Sequence, residues 1–346
     1  KKLLIIGPCI NKTKSDNTGG IIVLFENLKK VLNNKNIDYI LVDSNKNNYS
    51  NKLYAYISIL YNLSKKIKNT NHISMHGTIN DYLYIGPYIF LLSKIFGIKF
   101  SLRKFAGNFD IFLKNTSLIN KKLIIFLLRK SNYNFFETKY LVDFFNIYNK
   151  NTYWFPNVRF NSKISTLINS NYSKRFVFMS HIRDSKGVDK ILKASELLSK
   201  DYTFDFYGKI LDEKYTKKYF KQYQNCKYYG ALGHDEILDV LKNYDVILLP
   251  SIETEGYPGI IIEGYSLGIP VITTNLRGPS EIVVNNKTGI LIPPNDVTAL
   301  CSAIESINKE NYKQYSKNAL YAFNKFDSIK CTNDYIKKIK SSTNEN

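Results

Sequence analysis

Two carboxylates, Glu255 and Glu263, bracket the turn-like segment of EGYPGIIIEGYSLGIPVITT (255–274). An ionised glutamate only accepts hydrogen bonds, and it can take both hydroxyl protons of a vicinal diol. Pro258 suits the first turn of a helix, where its missing N–H costs nothing. The amides of Tyr257, Gly259 and Ile260 would then lie at a helix start with no intrahelical partner, an arrangement that binds anions. Diol acceptors beside a phosphate site describe a ligand that carries both groups, a nucleotide sugar. By spacing alone the same pair describes two surface carboxylates.

Two other segments carry polar chemistry. FMSHIRDSKGVDKILKA (178–194) sets His181, Arg183 and Lys186 in a loop between a strand and a helix. Cations fixed there would stabilise the charge that a departing diphosphate gains; a solvated basic loop would look the same. In SDNTGGIIVLFENL (15–28), Gly19 and Gly20 open a helix, where glycine lets backbone approach a phosphate or sugar closely. Simple turn chemistry explains that pair equally well. The loop is not G-x-G-x-x-G, which counts against a dinucleotide dehydrogenase. His76, in SMHGTIND, reads as structural.

The elements that must position these residues follow a βαβα rhythm. LLII (3–6), IDYILV (37–42), HISM (72–75), IKFSL (98–102) and YNFFE (133–137) read as strands with helical patterns between most of them. Ile21, Leu24, Phe25, Leu28, Val31 and Leu32 fall on one helical face. After a pause at Pro156-Asn157 a second series begins with RFVFMS (175–180), TFDFYG (203–208), DVILLP (245–250), IPVIT (269–273) and GILI (289–292). This alternation predicts parallel sheets with helices on both faces, with ligands at the carboxyl ends of the strands. From Asp296, a plausible helix cap, the pattern is helical, and STNEN at the end should fray.

With 346 residues the chain can hold two cores. Its net charge of +20 is uneven: residues 1–155 carry 23 Lys/Arg against 8 Asp/Glu, and residues 156–346 carry 26 against 21. A basic half of this kind attracts nucleic acid, an anionic membrane or phosphorylated substrates. Cys9, Cys226, Cys301 and Cys331 have neither metal-binding nor disulfide spacing, which points to a reducing compartment. KKLLIIGPCI reads as a first strand rather than a signal peptide. YLYIGPYIFLLSKIFGIKF (82–100) is broken by Gly86-Pro87 and Lys94, so it reads as a buried helix rather than a span. FLKNTSLINKKLIIFLLRK (112–130) is either an interfacial helix held by Lys114, Lys121, Lys122, Arg129 and Lys130 or a core helix with a basic edge.

TEGYPGIIIEGYSLGIPVITT, with Glu255-Gly256-Tyr257, Glu263 and Gly268-Ile269-Pro270-Val271, resembles the donor-binding motif of retaining GT-B glycosyltransferases of family 4 (glycosyl transferases group 1). GPSEIVVNNKTGILIPPND resembles that family's next segment, and FMSHIRDSKGVDKILKA its strand, basic loop and Lys-Gly helix start. The resemblance is good over 175–307 and looser elsewhere. It implies an α/β GT-B fold: two Rossmann-like domains facing a central cleft, with C-terminal helices packing back toward the first domain. The divisions are 1–156 on the acceptor side, 157–318 for the nucleotide sugar, and a helical segment at 319–346.

The resemblance further implies a retaining, metal-independent hexosyltransferase with no cofactor. Its donor would be a nucleotide sugar, a UDP-sugar. Its acceptor would be a hydroxyl of a polyprenyl-diphosphate-linked or other glycan, in O-antigen or capsule assembly. Glu255 would position the donor sugar, Glu263 the ribose, and Lys186 with Arg183 the diphosphate. Gly19, Gly20, Tyr257, Pro258, Gly259 and Ile260 would complete donor binding. The absence of Asp-x-Asp in a helpful context agrees with the lack of a metal. The family's usual Arg is His181 here, and its first-domain His falls near Phe105, leaving Arg103, Lys104 and Asn108 as candidates there. The expected place is cytoplasmic, peripheral on an anionic inner membrane face, without nucleic acid. A sugar-nucleotide epimerase of the same fold and a non-catalytic basic membrane- or polyanion-binding protein are the rivals. Gly-x-Pro-Val and Lys-Gly favour the transferase.

Overall fold

The structure, a computed structural model, describes residues 2–11, 19–160 and 171–341. Residues 15–18 of the glycine-bearing loop, the residues following Phe160 and the STNEN end lie outside them. In chain order the elements are β1 (Lys2–Gly7), α1 (Gly20–Asn34), β2 (Tyr39–Asp43), α2 (Lys52–Lys66), β3 (Thr70–Gly77), α3 (Ile79–Tyr84), α4 (Gly86–Phe96), β4 (Lys99–Lys104), α5 (Phe109–Asn115), α6 (Leu118–Lys130), β5 (Tyr133–Phe136), α7 (Lys139–Phe145) and β6 (Thr152–Trp154). The series continues with β7 (Arg175–Met179), α8 (Val188–Leu197), β8 (Thr203–Tyr207), α9 (Lys217–Phe220), β9 (Cys226–Gly230), α10 (Ile237–Leu241), β10 (Val246–Leu249), α11 (Gly259–Ser266), β11 (Val271–Thr274), α12 (Pro279–Ile282), β12 (Gly289–Ile292), α13 (Val297–Ser306), α14 (Lys309–Phe323) and α15 (Ser328–Ser341).

The chain forms two compact units, residues 1–158 with 328–346, and residues 159–327. Helix α14 therefore stays whole within the second unit, and α15 returns to the first. Each unit holds a six-stranded parallel sheet, in the orders β2-β1-β3-β4-β5-β6 and β12-β11-β10-β7-β8-β9. β6 and β9 are the strands that hydrophobic runs do not announce. β6 is three residues long, and β9 alternates exposed and half-buried positions at a sheet edge.

In the first unit, side-chain alternation along β1 separates two apolar layers. Leu4 and Ile6 point into a core shared with α2 to α7, through residues such as Ile59, Ile89, Ile124 and Leu127. Ile5 points the other way, into a core with Leu24, Phe25 and Leu28 of α1 and Tyr335, Ile336 and Ile339 of α15. Gly7 closes β1 because a Cβ there would stand 2.3 Å from the Phe25 ring. The 112–130 stretch is two helices, α5 and α6, divided at Thr116-Ser117, where the Ser117 hydroxyl accepts from Asn120 N–H. The 82–100 stretch likewise passes through the end of α3, α4 and the start of β4. No helix of the described residues is long and apolar enough to cross a membrane.

In the second unit β10 lies in the middle of its sheet and is buried throughout. Helix α11 covers it and is itself buried from Ile260 to Ser266, as expected of a helix that is apolar nearly all round. Gly264 permits the close approach, since a Cβ would come within 2.3 Å of the Ile247 side chain. At the far end Gly268 is left-handed, with φ 71°. Its N–H bonds to Tyr265 O, and the Ile269 N–H bonds to Gly264 O, a Schellman closure. Pro270 prevents further helix and β11 begins at Val271. Gly-x-Pro-Val is thus a helix stop and a strand start in four residues. Asp296 caps α13 as expected, accepting from Ala299 N–H at 2.8 Å.

Candidate functional site

The loops leaving the carboxyl ends of β7, β10 and β11 are tied together by backbone. Ile252 N–H donates to Ser185 O at 2.9 Å, and the Thr274 hydroxyl donates to Ser251 O at 2.8 Å. Gly187, at φ 77°, lies so close to Pro250 that a Cβ would fall 2.0 Å from its carbonyl oxygen. Gly278, at φ 97°, lies as close to Gly256, with a Cβ position 1.9 Å from its carbonyl oxygen. Both glycines satisfy two demands at once, a left-handed backbone and contact without a side chain.

On this frame Lys186 and Glu255 meet. Lys186 Nζ is 2.7 Å from Glu255 Oε2, with the side chains 20% and 13% exposed. The Ser251 hydroxyl donates to the other oxygen, Glu255 Oε1. Arg183 turns toward its own loop and its surface, donating from Nε to Ser185 Oγ at 2.6 Å and lying 3.5 Å from Glu253. His181 shares this environment. Partial burial, then Lys186, Arg183 and Lys209, lower its imidazole pKa from the ordinary histidine value. Asp184 anchors the loop from the other side. Burial opposes its ionisation, but bonds from Lys214 and Tyr215 outweigh that and hold its carboxyl low.

Glu263 is elsewhere in the web. It is 5% exposed and its Oε1 accepts from Arg159 Nε at 2.6 Å. The structure gives Glu255 and Glu263 different cationic partners, Lys186 and Arg159, and records no bond between them. Pro258 is the residue before α11 rather than its first: its φ of −62° and ψ of 118° are extended, and the helix starts at Gly259. A proline's fixed φ fits that cap as well as it fits the next position, which is why the boundary slips by one. The first bond of the helix runs from Ile261 N–H to Pro258 O, so the amides of Gly259 and Ile260 precede it. Tyr257 is buried, with its hydroxyl donating to Glu281 Oε2 at 2.6 Å and its ring edge-on to Phe326.

In the first unit Gly19 caps α1 with extended backbone, φ −66° and ψ 154°, and Gly20 is the first helical residue. Among the described residues nothing lies within 4 Å of a Cβ at either, so neither crowding nor positive φ demands glycine there. Phe105 is core. Arg103 lies with its guanidinium 3.5 Å from the centre of the Phe155 ring and donates to Pro156 O. The Lys104 ammonium donates to Phe105 O, and burial draws its pKa down to about 8 despite Glu137 and Asp81 nearby. Asn108 is exposed before α5. His76 is fully buried among Phe25, Phe105 and Tyr335, bonded to Ser74 and Tyr335, and burial then Arg103 drive its pKa well below the usual value.

Residues that sequence reasoning passed over are Arg159, Ser251, Glu281 and Gly278. Arg159 is 104 positions from the carboxylate it holds, and no local pattern joins them. Gly278 stands in the quoted GPSEIVV segment, where a Gly-Pro pair signals a turn but not the loop packed behind it.

Residues 161–322 match the model of the family described as glycosyl transferases group 1. Glycogen synthase of Mycobacterium tuberculosis is 35% identical over 81 residues, which is 23% of this chain and 19% of that enzyme. The capsular polysaccharide biosynthesis glycosyltransferase CapM of Staphylococcus aureus is 27% identical over 164 residues, 46% of this chain and 42% of CapM. The chain thus spans less than half the length of these two curated relatives. A glycosyltransferase structure from Rickettsia africae superposes with a TM-score of 0.77 at 16% identity, covering all of both chains. The Anabaena protein HepE in complex with UDP superposes at 0.73 and 14%, covering 99% of this chain and 100% of HepE. Such low identities speak for the fold. Residues 161–322 thus resemble the glycosyl transferases group 1 family, and the two parallel six-stranded sheets are those of the GT-B fold.

Proposed function

We propose that the chain transfers a sugar, with retention and without a metal or other cofactor, from a nucleotide-sugar donor to a hydroxyl of a lipid-linked glycan. The donor is a UDP-sugar, the setting is O-antigen or capsule assembly, and the place is the inner face of the cytoplasmic membrane. The observation that carries this reading is the Lys186–Glu255 pair held at the strand ends beside the start of α11. A cation there meets a diphosphate and a carboxylate meets sugar hydroxyls, so the pair matches the two halves of one donor. CapM is named for capsular polysaccharide biosynthesis, and HepE was solved with UDP; both support the reading.

In this mechanism the bond between the sugar's anomeric carbon and the diphosphate oxygen breaks, and the diphosphate leaves with the electron pair. The acceptor oxygen forms the new bond to that carbon and gives up its proton to an oxygen of the departing diphosphate. Lys186, with Arg183 swinging from Glu253, stabilises the growing charge on the leaving group. The amides of Gly259 and Ile260, which follow Pro258 at the start of α11, add dipoles aimed at the same anion, with the Tyr257 amide just before the proline. Glu255 fixes the sugar, Glu263 fixes the ribose with Arg159 holding its carboxylate in place, and Gly19-Gly20 leave room for close backbone approach. Most of the rate then comes from positioning and electrostatics.

The test is thermal stabilisation by UDP, GDP and CDP, followed by release of the diphosphate from nucleotide sugars with and without a lipid-linked acceptor. One nucleotide, UDP, should raise the melting temperature, and Lys186→Ala should abolish the rise. No rise with any of the three would sink the reading.

A further inference from the structure

We propose that the outward face of α2, α4 and α6 is a docking surface for an anionic lipid bilayer. These helices lie on one side of the first unit's sheet, over the shared core that contains Ile59, Ile89 and Ile124. They are neighbours: the Ser64 and Tyr88 hydroxyls bond across α2 and α4, and the Phe90 and Phe126 rings meet at 4.8 Å across α4 and α6. A helix with a dry inner face ordinarily turns a polar face outward. Here Ile57 and Tyr61 of α2 are 58% and 65% exposed, Leu91 and Ile95 of α4 are 50% and 63%, and Ile119 of α6 is 79%.

The charge on the same helices has one sign. Residues 52–66, 86–96 and 118–130 contain no Asp or Glu. Exposed Lys65, Lys94, Lys122 and Lys130 stand among the apolar side chains. A cytosolic surface helix is usually laced with both signs, and a protein partner would have to be acidic and apolar together over three helices. A bilayer with anionic headgroups offers that combination continuously: negative charge for the lysines and a hydrocarbon boundary a few ångströms deeper for the isoleucines and tyrosines. Of the two readings of 112–130, an interfacial helix or a core helix with a basic edge, Ile124, Leu127 and Leu128 facing the core fit the second, and α6 gives this surface only its outer edge.

This inference extends the reading of a membrane-borne acceptor, but it stands on exposure and charge and is tested apart from sugar transfer. The chain is mixed with vesicles of phosphatidylcholine alone, or of equal phosphatidylcholine and phosphatidylglycerol, and floated on a density gradient. It should bind the second kind, weakly or not at all the first, and lose binding as sodium chloride rises from 0.1 to 0.5 M. Each lysine near such a surface changes partition about fivefold, so Lys65→Glu/Lys94→Glu/Lys122→Glu should lower it by at least about a hundredfold. Ile57→Ser/Ile95→Ser/Ile119→Ser should also weaken binding while leaving its salt dependence. Both variants change exposed side chains and should keep the wild-type stabilisation by UDP measured without vesicles. No binding to anionic vesicles, or binding that both variants retain, overturns the proposal. So does a dimer in light scattering that the serine variant makes monomeric, because the face would then belong to a second copy. Vesicle binding without any nucleotide stabilisation would leave this surface standing and remove the transferase reading.

Discussion

The two units handle charge in opposite ways. Along β3 and β4 the first buries its titratable groups: His72, His76, Arg103 and Lys104 are each no more than 3% exposed, packed against rings and backbone carbonyls. The second keeps ionic partners at loop ends, where Lys186 and Glu255 remain partly open to solvent and could exchange each other for a ligand. Sealed charges of the first kind stabilise or specify a core. Half-open pairs of the second kind are poised for binding. On the proposed reading, the same sheet architecture carries a sealed interior in one unit and the Lys186–Glu255 site in the other.

Four measurements test that contrast. The largest effect should come from Glu263→Ala, which removes the ion-pair contact that Glu263 makes with a nearly buried arginine; urea unfolding should show a loss of about 3 kcal/mol. A loss below 1 kcal/mol would mean that Arg159 is no more committed than a surface residue. Next, Lys186→Ala should reduce kcat/KM of sugar transfer about 100-fold or more, with a stability change of about 1 kcal/mol or less. An equal loss of stability and activity would make the pair structural, like those of the first unit.

Third, the sealed histidines should make stability depend on acid. Burial, reinforced by Lys99, pulls His72 down to about 3, and burial and Arg103 pull His76 well below the usual value. Unfolded histidines titrate near 6.5. As pH falls below that value the unfolded chain takes up protons first, so the stability held above pH 6.5 is lost progressively toward pH 3. At pH 5 the loss should be about 2 kcal/mol from His72 alone, and His72→Gln should remove that part of the pH dependence. Smallest, Tyr257→Phe deletes the bond to Glu281 and should cost about 1 kcal/mol, read as a small drop in melting temperature.

Much of this organisation is legible in the residues. Parallel strands such as β1, β7 and β10 are largely buried on both faces and read as continuous apolar runs, so both sheets could be anticipated. The Gly268-Pro270 stop could be anticipated too, because glycine and proline act through their own backbone. Short β6 and edge strand β9 could not, since pairing with a neighbour defines them and their side chains need not be apolar. Within the site, Lys186, Glu255 and the start of α11 lie in recognisable segments. The pairing of Lys186 with Glu255, and of Arg159 with Glu263, depends on where distant strands end. Arg103 and Lys104 are the instructive reverse, basic residues in a promising position that the fold turned into core.

The Lys186–Glu255 pair also bears on turnover. On the proposed reading, an intact donor separates the pair but supplies both halves with new partners, diphosphate for Lys186 and hydroxyls for Glu255. Once the sugar has left, the nucleoside diphosphate satisfies only Lys186, and Glu255 keeps the Ser251 hydroxyl on Oε1 but loses a partner for Oε2. Closing the contact again, to the 2.7 Å seen in the structure, then favours ejection of the spent nucleotide. Inorganic phosphate is disfavoured for the same reason. A contact that looks like simple stabilisation thereby becomes a means of telling substrate from product.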